Sequence, residues 1–510
     1  MERPALVGDW LGRRAQLAPT APAIVDLSRP GQPEPRTISY QTLERETNQV
    51  ARWLQARGVG QGDRVAVLAK NRIEVIQLWF ACGKLGAILQ ALNWRLTAAE
   101  LAPLLDHAEP RLLCWDSEFA GLVARLRGLS VAAQPEFVAL DDTDDLCLSS
   151  CRELPDAPLP ALALAPSEPW VLCYTGGTTG LPKAAILTHA TVTWNAINTT
   201  SSWGLSERDV AILNAPLFHT GGLNVFTAPL IHAGGCSILC REFELEQLFD
   251  IIESREVSCF FGVPAMFQAM QAHPRWASAP LDRVRTIISG GAPCPKPVFE
   301  QFWARGVDFK TGYGLTEAGP NNFWLPRERV RDKPGAVGWP LLHVAIRIVN
   351  ASGGECGPDE VGELWIRGPH VSPGYFRDPE ATAASFVDGW LHTGDLARAQ
   401  ADGCVTIVGR SKDMIISGGE NIYPAEVESA IAAHEAVVEV AVIGVPDPRW
   451  GEVGRAFVVL ADGASLELAE LQSFLRERLA KYKLPRSLVI LSALPRTGAG
   501  KLDKRALERG

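Results

Sequence analysis

Short apolar runs rich in branched and aromatic residues recur along the chain: Arg64 to Leu68 (RVAVL), Trp170 to Tyr174 (WVLCY), Val257 to Phe261 (VSCFF) and Val284 to Ser289 (VRTIIS). Their length and composition predict strands. Between them lie longer stretches with helical spacing of apolar positions, such as Thr42 to Arg57. This alternation predicts two helix-flanked sheets in a large N-terminal region, an α/β organisation.

From about residue 335 to residue 410 the pattern shortens to β-rich pieces split by Gly, Pro and Asp, including Val344 to Val349, Glu363 to Arg367 and Cys404 to Val408. A small β-rich subdomain is expected there. The remainder reads as a helix from Pro424 to Ala433, strands at Val437 to Val445 and Ala456 to Leu460, and a helix from Leu466 to Leu479. That is enough for a compact α+β domain. The expected division is therefore 1–411 and 412–510. The stretch Pro155 to Ser167, rich in Pro and Ala, is expected to cross the surface.

With 510 residues, of which 47% are hydrophobic, the chain buries more than one core. Its formal charge of -9 argues against a broad electrostatic grip on nucleic acid or anionic lipid. Any phosphate must be held locally. Met1 to Trp10 carries charges and a proline rather than the apolar core of a signal peptide, and no uninterrupted apolar run approaches the ~18 residues of a spanning helix. A cytoplasmic protein without an integral membrane segment is expected. The eleven cysteines show no CxxC pair, the closest spacings being Cys147/Cys151 and Cys236/Cys240, so ordinary reduced thiols are expected.

The most informative stretch is YTGGTTGLPK, Tyr174 to Lys183. Gly176, Gly177 and Gly180 permit close backbone approach, and Thr175, Thr178 and Thr179 add hydroxyl donors. Lys183 supplies a cation. A polyphosphate is the natural ligand. The P-loop pattern of kinases and GTPases is excluded, because Pro182 precedes the lysine and Ala184 to Leu187 reads as another strand rather than a helix.

This loop resembles the signature of the adenylate-forming (AMP-binding) superfamily, in particular its acyl-CoA synthetase and fatty-acid–CoA ligase branch. The family more often has Ser where this chain has Gly176, and Gly where it has Ala184. The TGG form also occurs in fatty acyl-CoA synthetases. Further motifs follow in order. Gly290, Gly291 and Ala292 follow an apolar strand where the resemblance puts adenine. In YGLTE, it implies that Tyr313 lies on adenine beside Gly314, that Thr316 meets phosphate and that Glu317 binds Mg²⁺. Mg²⁺ on a triphosphate keeps only one or two protein carboxylates, which suits that assignment.

In WLHTGD, preceded by GYFRD at Gly374 to Asp378, Asp395 is the implied ribose acceptor. Arg410 would complete the ribose contact and Lys412 would be the hinge about which a mobile C-terminal domain rotates. Gly418 and Gly419 would pass the pantetheine arm of coenzyme A, with Trp450 in contact with it. Lys501, in RTGAGKLDK, is the implied catalytic lysine of adenylation. Lys481, Lys483 and Arg486 are candidates for the nucleotide end of coenzyme A.

His219, in PLFHTGG, matches a histidine beside the carboxylate tunnel and is expected to gate or position rather than act as a base, since the acid is already ionised. The acyl pocket is expected to draw on Gly221, Val225, Gly290, Gly314, Ala318, Gly319 and Pro320, with Phe218, Phe226, Phe323 and Trp324 either lining or flanking it. None is charged. An apolar acyl or aryl group fits, and an amino acid does not, because its ammonium would need a buried carboxylate.

The resemblance implies an enzyme that uses ATP, Mg²⁺ and coenzyme A: acid plus ATP gives acyl-AMP and pyrophosphate, then acyl-AMP plus coenzyme A gives the thioester and AMP. A medium- or long-chain fatty acid or another apolar acid is the expected substrate, with an aryl acid as the alternative. A ligase loading a carrier protein shares the same motifs; no carrier domain is expected, and coenzyme A is therefore the favoured acceptor. A catalytically silent adenylate-binding protein would typically have lost Lys501 or Glu317. Small molecules are the expected partners, and a homodimer is left open.

Overall fold

The computed structural model describes residues 9–29, 34–129, 132–144, 146–175, 182–417, 420–497 and 502–509. The run Arg64–Leu68 lies inside a six-stranded sheet ordered Glu136–Ala139, Leu112–Trp115, Arg64–Leu68, Ile88–Ala91, Pro169–Thr175, Lys183–Thr188. All neighbours are parallel except the last pair, a hairpin in which Thr175 faces Lys183. Between their ends the central strands are apolar apart from Gln90, whose amide donates to Leu104 O, because both faces are covered.

A seven-stranded sheet runs Lys310–Thr311, Thr286–Ser289, Cys259–Gly262, Val210–Leu213, Cys236–Leu239, Pro22–Asp26, Arg36–Ser39. Only its last pair is antiparallel. One hydrophobic core joins the two sheets through the helices Tyr40–Ala56 and Ile73–Leu85. The second of these buries eleven of its 13 residues, as a helix apolar on all sides must. Gly83 on it admits Trp170: a Cβ there would lie 2.6 Å from the indole, whose Nε1 donates to Trp79 O at 2.7 Å.

The expected β-rich subdomain is an antiparallel sheet, Ala345–Val349, Gly362–Arg367 and Trp390–Ala399, with Phe386–Val387 and Val405–Arg410 both pairing the far edge of Trp390–Ala399. The small C-terminal domain has a five-stranded sheet on which Pro424–Ile431 and Leu468–Arg476 pack Val427, Ile431, Leu471 and Leu475. Its two longest strands, Val437–Asp447 at the sheet edge and Gly451–Leu460 beside it, are longer than the sequence pattern indicates. Cross-strand pairing along the whole hairpin carries the second strand through Gly451 and Gly454 despite their low strand preference.

The stretch after Pro155 runs over the surface as expected, held by Arg52, which donates to Pro155 O, Ala157 O and Pro158 O. The cysteines are all unpaired. Among the described residues no helix is long and apolar enough to cross a membrane.

Candidate active site

Parallel sheets expose functional loops at the carboxyl ends of their strands. Here Thr286–Ser289 and Lys310–Thr311, paired through Ser289 and Thr311, deliver Gly290 and Tyr313 to one edge. Gly291 adopts φ +78°, a left-handed conformation that favours glycine. From Tyr313 the chain folds back on itself so tightly that a Cβ on Gly314 would lie 2.1 Å from Pro320 O. The single turn Thr316–Ala318 then buries Thr316 and Glu317.

Glu317 is only 8% exposed and is held from two sides. Thr175 Oγ1 donates to its Oε1 at 3.2 Å and Tyr375 Oη donates to the same oxygen at 2.9 Å. Thr175 is the last described residue before the glycine-rich loop, and Lys183 stands opposite it on the hairpin. The Lys183 Nζ lies 5.0 Å from the centre of the Tyr375 ring. Gly176, Gly177, Thr178, Thr179 and Gly180 lie outside the described residues, as do Gly418, Gly419 and Lys501.

Asp395 and Arg410 face each other across neighbouring antiparallel strands. Arg410 Nε lies 3.0 Å from Asp395 Oδ1, and Tyr313 Oη donates to Asp395 Oδ2 at 2.6 Å. Burial pushes the Asp395 carboxyl above its ordinary range, against the opposing pull of Arg410 and Tyr313. Burial also holds the Tyr313 hydroxyl well above its usual value, and the Asp395 charge adds to this. Tyr313 therefore stays a donor. Lys412 lies in the next turn, Ser411–Asp413. Burial lowers its pKa, while Asp413 acts to raise it.

His219 begins the short helical stretch Thr220–Gly222, its ring 5.7 Å from that of Phe218. Asn71 clamps the segment ahead of it: Asn71 Nδ2 donates to Ala215 O at 2.9 Å and Leu217 N donates to Asn71 Oδ1 at 2.8 Å. Gly221 and Val225 line a small apolar cavity with Phe261. The Phe261 ring occupies the space between two expected pocket glycines. A Cβ on Gly290 would lie 2.9 Å from it, and one on Gly221 would lie 3.4 Å from it. Ala318 is buried in the same cluster, to which Phe261 and Tyr313 pack. Gly314 and Pro320 are committed to each other, and Gly319, at φ +65°, turns its Cβ direction toward Asn195 Oδ1 at 2.8 Å. Ala292 is exposed beyond Gly291.

The coenzyme A candidates fall on the C-terminal domain. Ser417 pairs with Gly451, so Trp450, 38% exposed, adjoins the strand that leads into residue 418. Lys483 Nζ is engaged with both carboxylate oxygens of Glu426 at 2.7 Å, whereas Lys481 and Arg486 flank it in sequence. Phe261, Tyr375 and Asn71 have no place in the sequence-derived set. Tyr375 alone had a signal, as part of GYFRD.

Residues 11–376 match the AMP-binding enzyme family, and residues 426–501 match the AMP-binding enzyme C-terminal domain. A feruloyl-CoA synthase of Amycolatopsis sp is 42% identical over 99% of this chain and 98% of its own length. An indoleacetate–CoA ligase of Aromatoleum aromaticum is 37% identical, covering 98% of this chain and 96% of its own. The crystal structure of ATP-bound MatB from Rhodopseudomonas palustris superposes with a TM-score of 0.90 at 30% identity, covering 99% of both chains. Likeness of this extent, from the first sheet through the C-terminal domain, establishes that the chain belongs to the AMP-binding enzyme family.

Proposed function

We propose that this AMP-forming acid–thiol ligase joins an aryl carboxylic acid to coenzyme A at the expense of ATP. The observation that carries the acid class is the Phe261 ring between Gly221 and Gly290. The ring packs on two residues without side chains and stands as an aromatic wall of the expected pocket, against which a planar substrate gains ring-on-ring contact in addition to burial. The expected pocket set has no charged member, which suits an acid that is apolar beyond its carboxylate. The names of the feruloyl-CoA and indoleacetate–CoA relatives, both of which denote aryl acids, support the same choice.

In the first step a carboxylate oxygen attacks the α-phosphorus of ATP, forming the acyl–phosphate bond as pyrophosphate departs with the electron pair. In the second the coenzyme A sulfur attacks the acyl carbon and AMP leaves, the thiol proton passing to solvent. Asp395 would accept the ribose hydroxyls, with Arg410 beside it, and Tyr313 would lie against adenine. Thr316 and Lys183 would contact phosphate, and Lys501 would stabilise the charge that builds up in the first displacement. His219 would border the carboxylate path.

The donor set suits Mg²⁺: Glu317 offers one buried carboxylate held by two hydroxyl donors, and Mg²⁺ on a triphosphate uses one or two. When bound, the ion neutralises phosphate charge. A pyrophosphate-release screen over aryl, fatty and short-chain acids, with and without coenzyme A, tests the proposal. Arylalkenoic and other aryl acids should give the highest kcat/KM, with a thioester formed only when coenzyme A is present. A clear preference for long-chain fatty acids would overturn the acid class. Transfer only to a carrier protein would overturn the acceptor.

A further inference from the structure

Tyr375 stands 58 residues along the chain from Glu317, on a segment that adds itself to the outer edge of the phosphate-loop hairpin. Ile186 N donates to Gly374 O at 3.1 Å, Phe376 N donates to Ala184 O at 2.8 Å, and Ala185 bridges to Tyr375. Ser372 N donates to Glu317 O at 2.7 Å, and Ser372 Oγ donates to Ile186 O at 2.8 Å. The segment is thereby tied both to the strand that carries Lys183 and to the turn that carries Glu317. Thr382 Oγ1 accepts from Tyr375 N at 2.9 Å, and the Tyr375 ring meets Phe386 edge-on at 5.8 Å. The backbone and the ring are both fixed.

The two ends of this side chain meet opposite charges. Its hydroxyl donates to Glu317 Oε1 at 2.9 Å, and its ring face receives Lys183 Nζ at 5.0 Å. Among the described residues, Lys183 and Glu317 do not pair with each other. We infer that Tyr375 is a positioning residue for the metal–triphosphate site, keeping the Glu317 carboxylate aimed and the Lys183 ammonium apart from it. Without this separation the cation and the carboxylate would neutralise each other, and both would be lost to the nucleotide. The hydroxyl acts on Glu317 as an outer-shell partner that orients a metal-binding carboxylate, and loss of such partners commonly weakens metal affinity by about 10- to 100-fold. The ring acts on Lys183 through cation–π attraction.

The inference rests on Glu317 facing Mg²⁺·ATP, as proposed above, and the experiment separates the two. ATP binding is measured by calorimetry with and without Mg²⁺, for the wild type, for Tyr375→Phe and for Tyr375→Leu. In the Phe variant, which keeps the ring, the Mg²⁺-dependent gain in ATP affinity should shrink about ten-fold while Mg²⁺-free binding stays within about two-fold. The Mg²⁺ concentration for half-maximal pyrophosphate exchange should rise in parallel, with thioester formation from supplied acyl-adenylate unchanged. The Leu variant, lacking the ring as well, should also weaken Mg²⁺-free ATP binding.

A Phe variant that binds ATP as the wild type does in both conditions overturns the role, as does one that loses the same factor with and without Mg²⁺. If Mg²⁺ leaves ATP binding by the wild type unchanged, the assignment of Glu317 itself falls. Thermal unfolding of each variant establishes that it is folded.

Discussion

Tyr313 Oη donates to Asp395 Oδ2 at 2.6 Å, across 82 residues of sequence. Arg410 approaches the other carboxylate oxygen at 3.0 Å. A carboxylate has about four lone-pair positions, so one position on each oxygen is left, which the two ribose hydroxyls would fill in the proposed role. Tyr313 and Arg410 thus fix the orientation of Asp395 while leaving one acceptor position on each of its oxygens. In the proposed role the nucleotide would meet a carboxylate already aimed.

Replacing Asp395 by Asn removes the charge and one acceptor oxygen, so kcat/KM for ATP in pyrophosphate exchange should fall about 10- to 100-fold, the worth of charge-assisted hydrogen bonds. Tyr313→Phe keeps the ring and removes only the aiming contact, so its loss should be about ten-fold or less. A Phe variant as impaired as the Asn variant would mean that the hydroxyl itself meets the nucleotide.

Phe261 yields a specificity prediction. Phe261→Ala removes the ring between Gly221 and Gly290 and opens room for bulkier acids. The ratio of kcat/KM for a large, substituted aryl acid to that for benzoate should rise at least about ten-fold, since one or two methylene-sized contacts already change discrimination by that much. KM for ATP should hold. Equal losses for all acids would show that Phe261 supports the fold rather than sizing the pocket.

The difference between what the sequence revealed and what it hid follows from distance along the chain. The hairpin that ends in the glycine-rich loop was legible because Pro182 and the apolar run from Ala184 to Leu187 are local signals against a helix, and Lys183–Thr188 is a strand. Tyr313, Glu317 and Asp395 stood out as candidates because their motifs are contiguous, and the structure brings Tyr313 to Asp395. The contacts of Phe261 with Gly221 and Gly290, of Tyr375 with Glu317, and of Asn71 with Leu217 join residues 29 or more positions apart. No local pattern encodes them, because the pairing is set by which strands become neighbours. The five-residue π-turn Leu223–Thr227, beside the pocket, was likewise invisible, since its apolar spacing is that of any buried helix.

Lys501 supplies a prediction that separates the two half-reactions. Lys501→Ala should lower acid-dependent pyrophosphate exchange by about 10²-fold or more, the scale of losing a group that stabilises transition-state charge. Thioester formation from supplied acyl-adenylate should persist. Parallel loss of both activities would remove Lys501 from the adenylation step and undercut the rotation about Lys412.

His370 makes the turn from Tyr313 to Pro320 acid-sensitive. It is fully buried, and its Nε2 lies 2.9 Å from Asn322 Oδ1. Asn322 Nδ2 donates to Gly319 O at 2.9 Å, so its oxygen is the acceptor and His370 is the neutral Nε2–H form. Burial lowers the His370 pKa to about 4. An unfolded histidine binds its proton near pH 6.5, so the unfolded state holds more protons between about 6.5 and 4 and stability falls as pH drops through that window. Above it both states are neutral and nothing is gained. His370→Gln places an amide donor where Nε2–H stood and cannot titrate. The midpoint of thermal unfolding should therefore fall less steeply from pH 6.5 to 4.5 in the variant than in the wild type. His189, stacked on Trp170 and also held at about 4 by burial, should supply part of the slope that remains. Identical slopes in the two proteins would mean that His370 gains its proton without disturbing the fold.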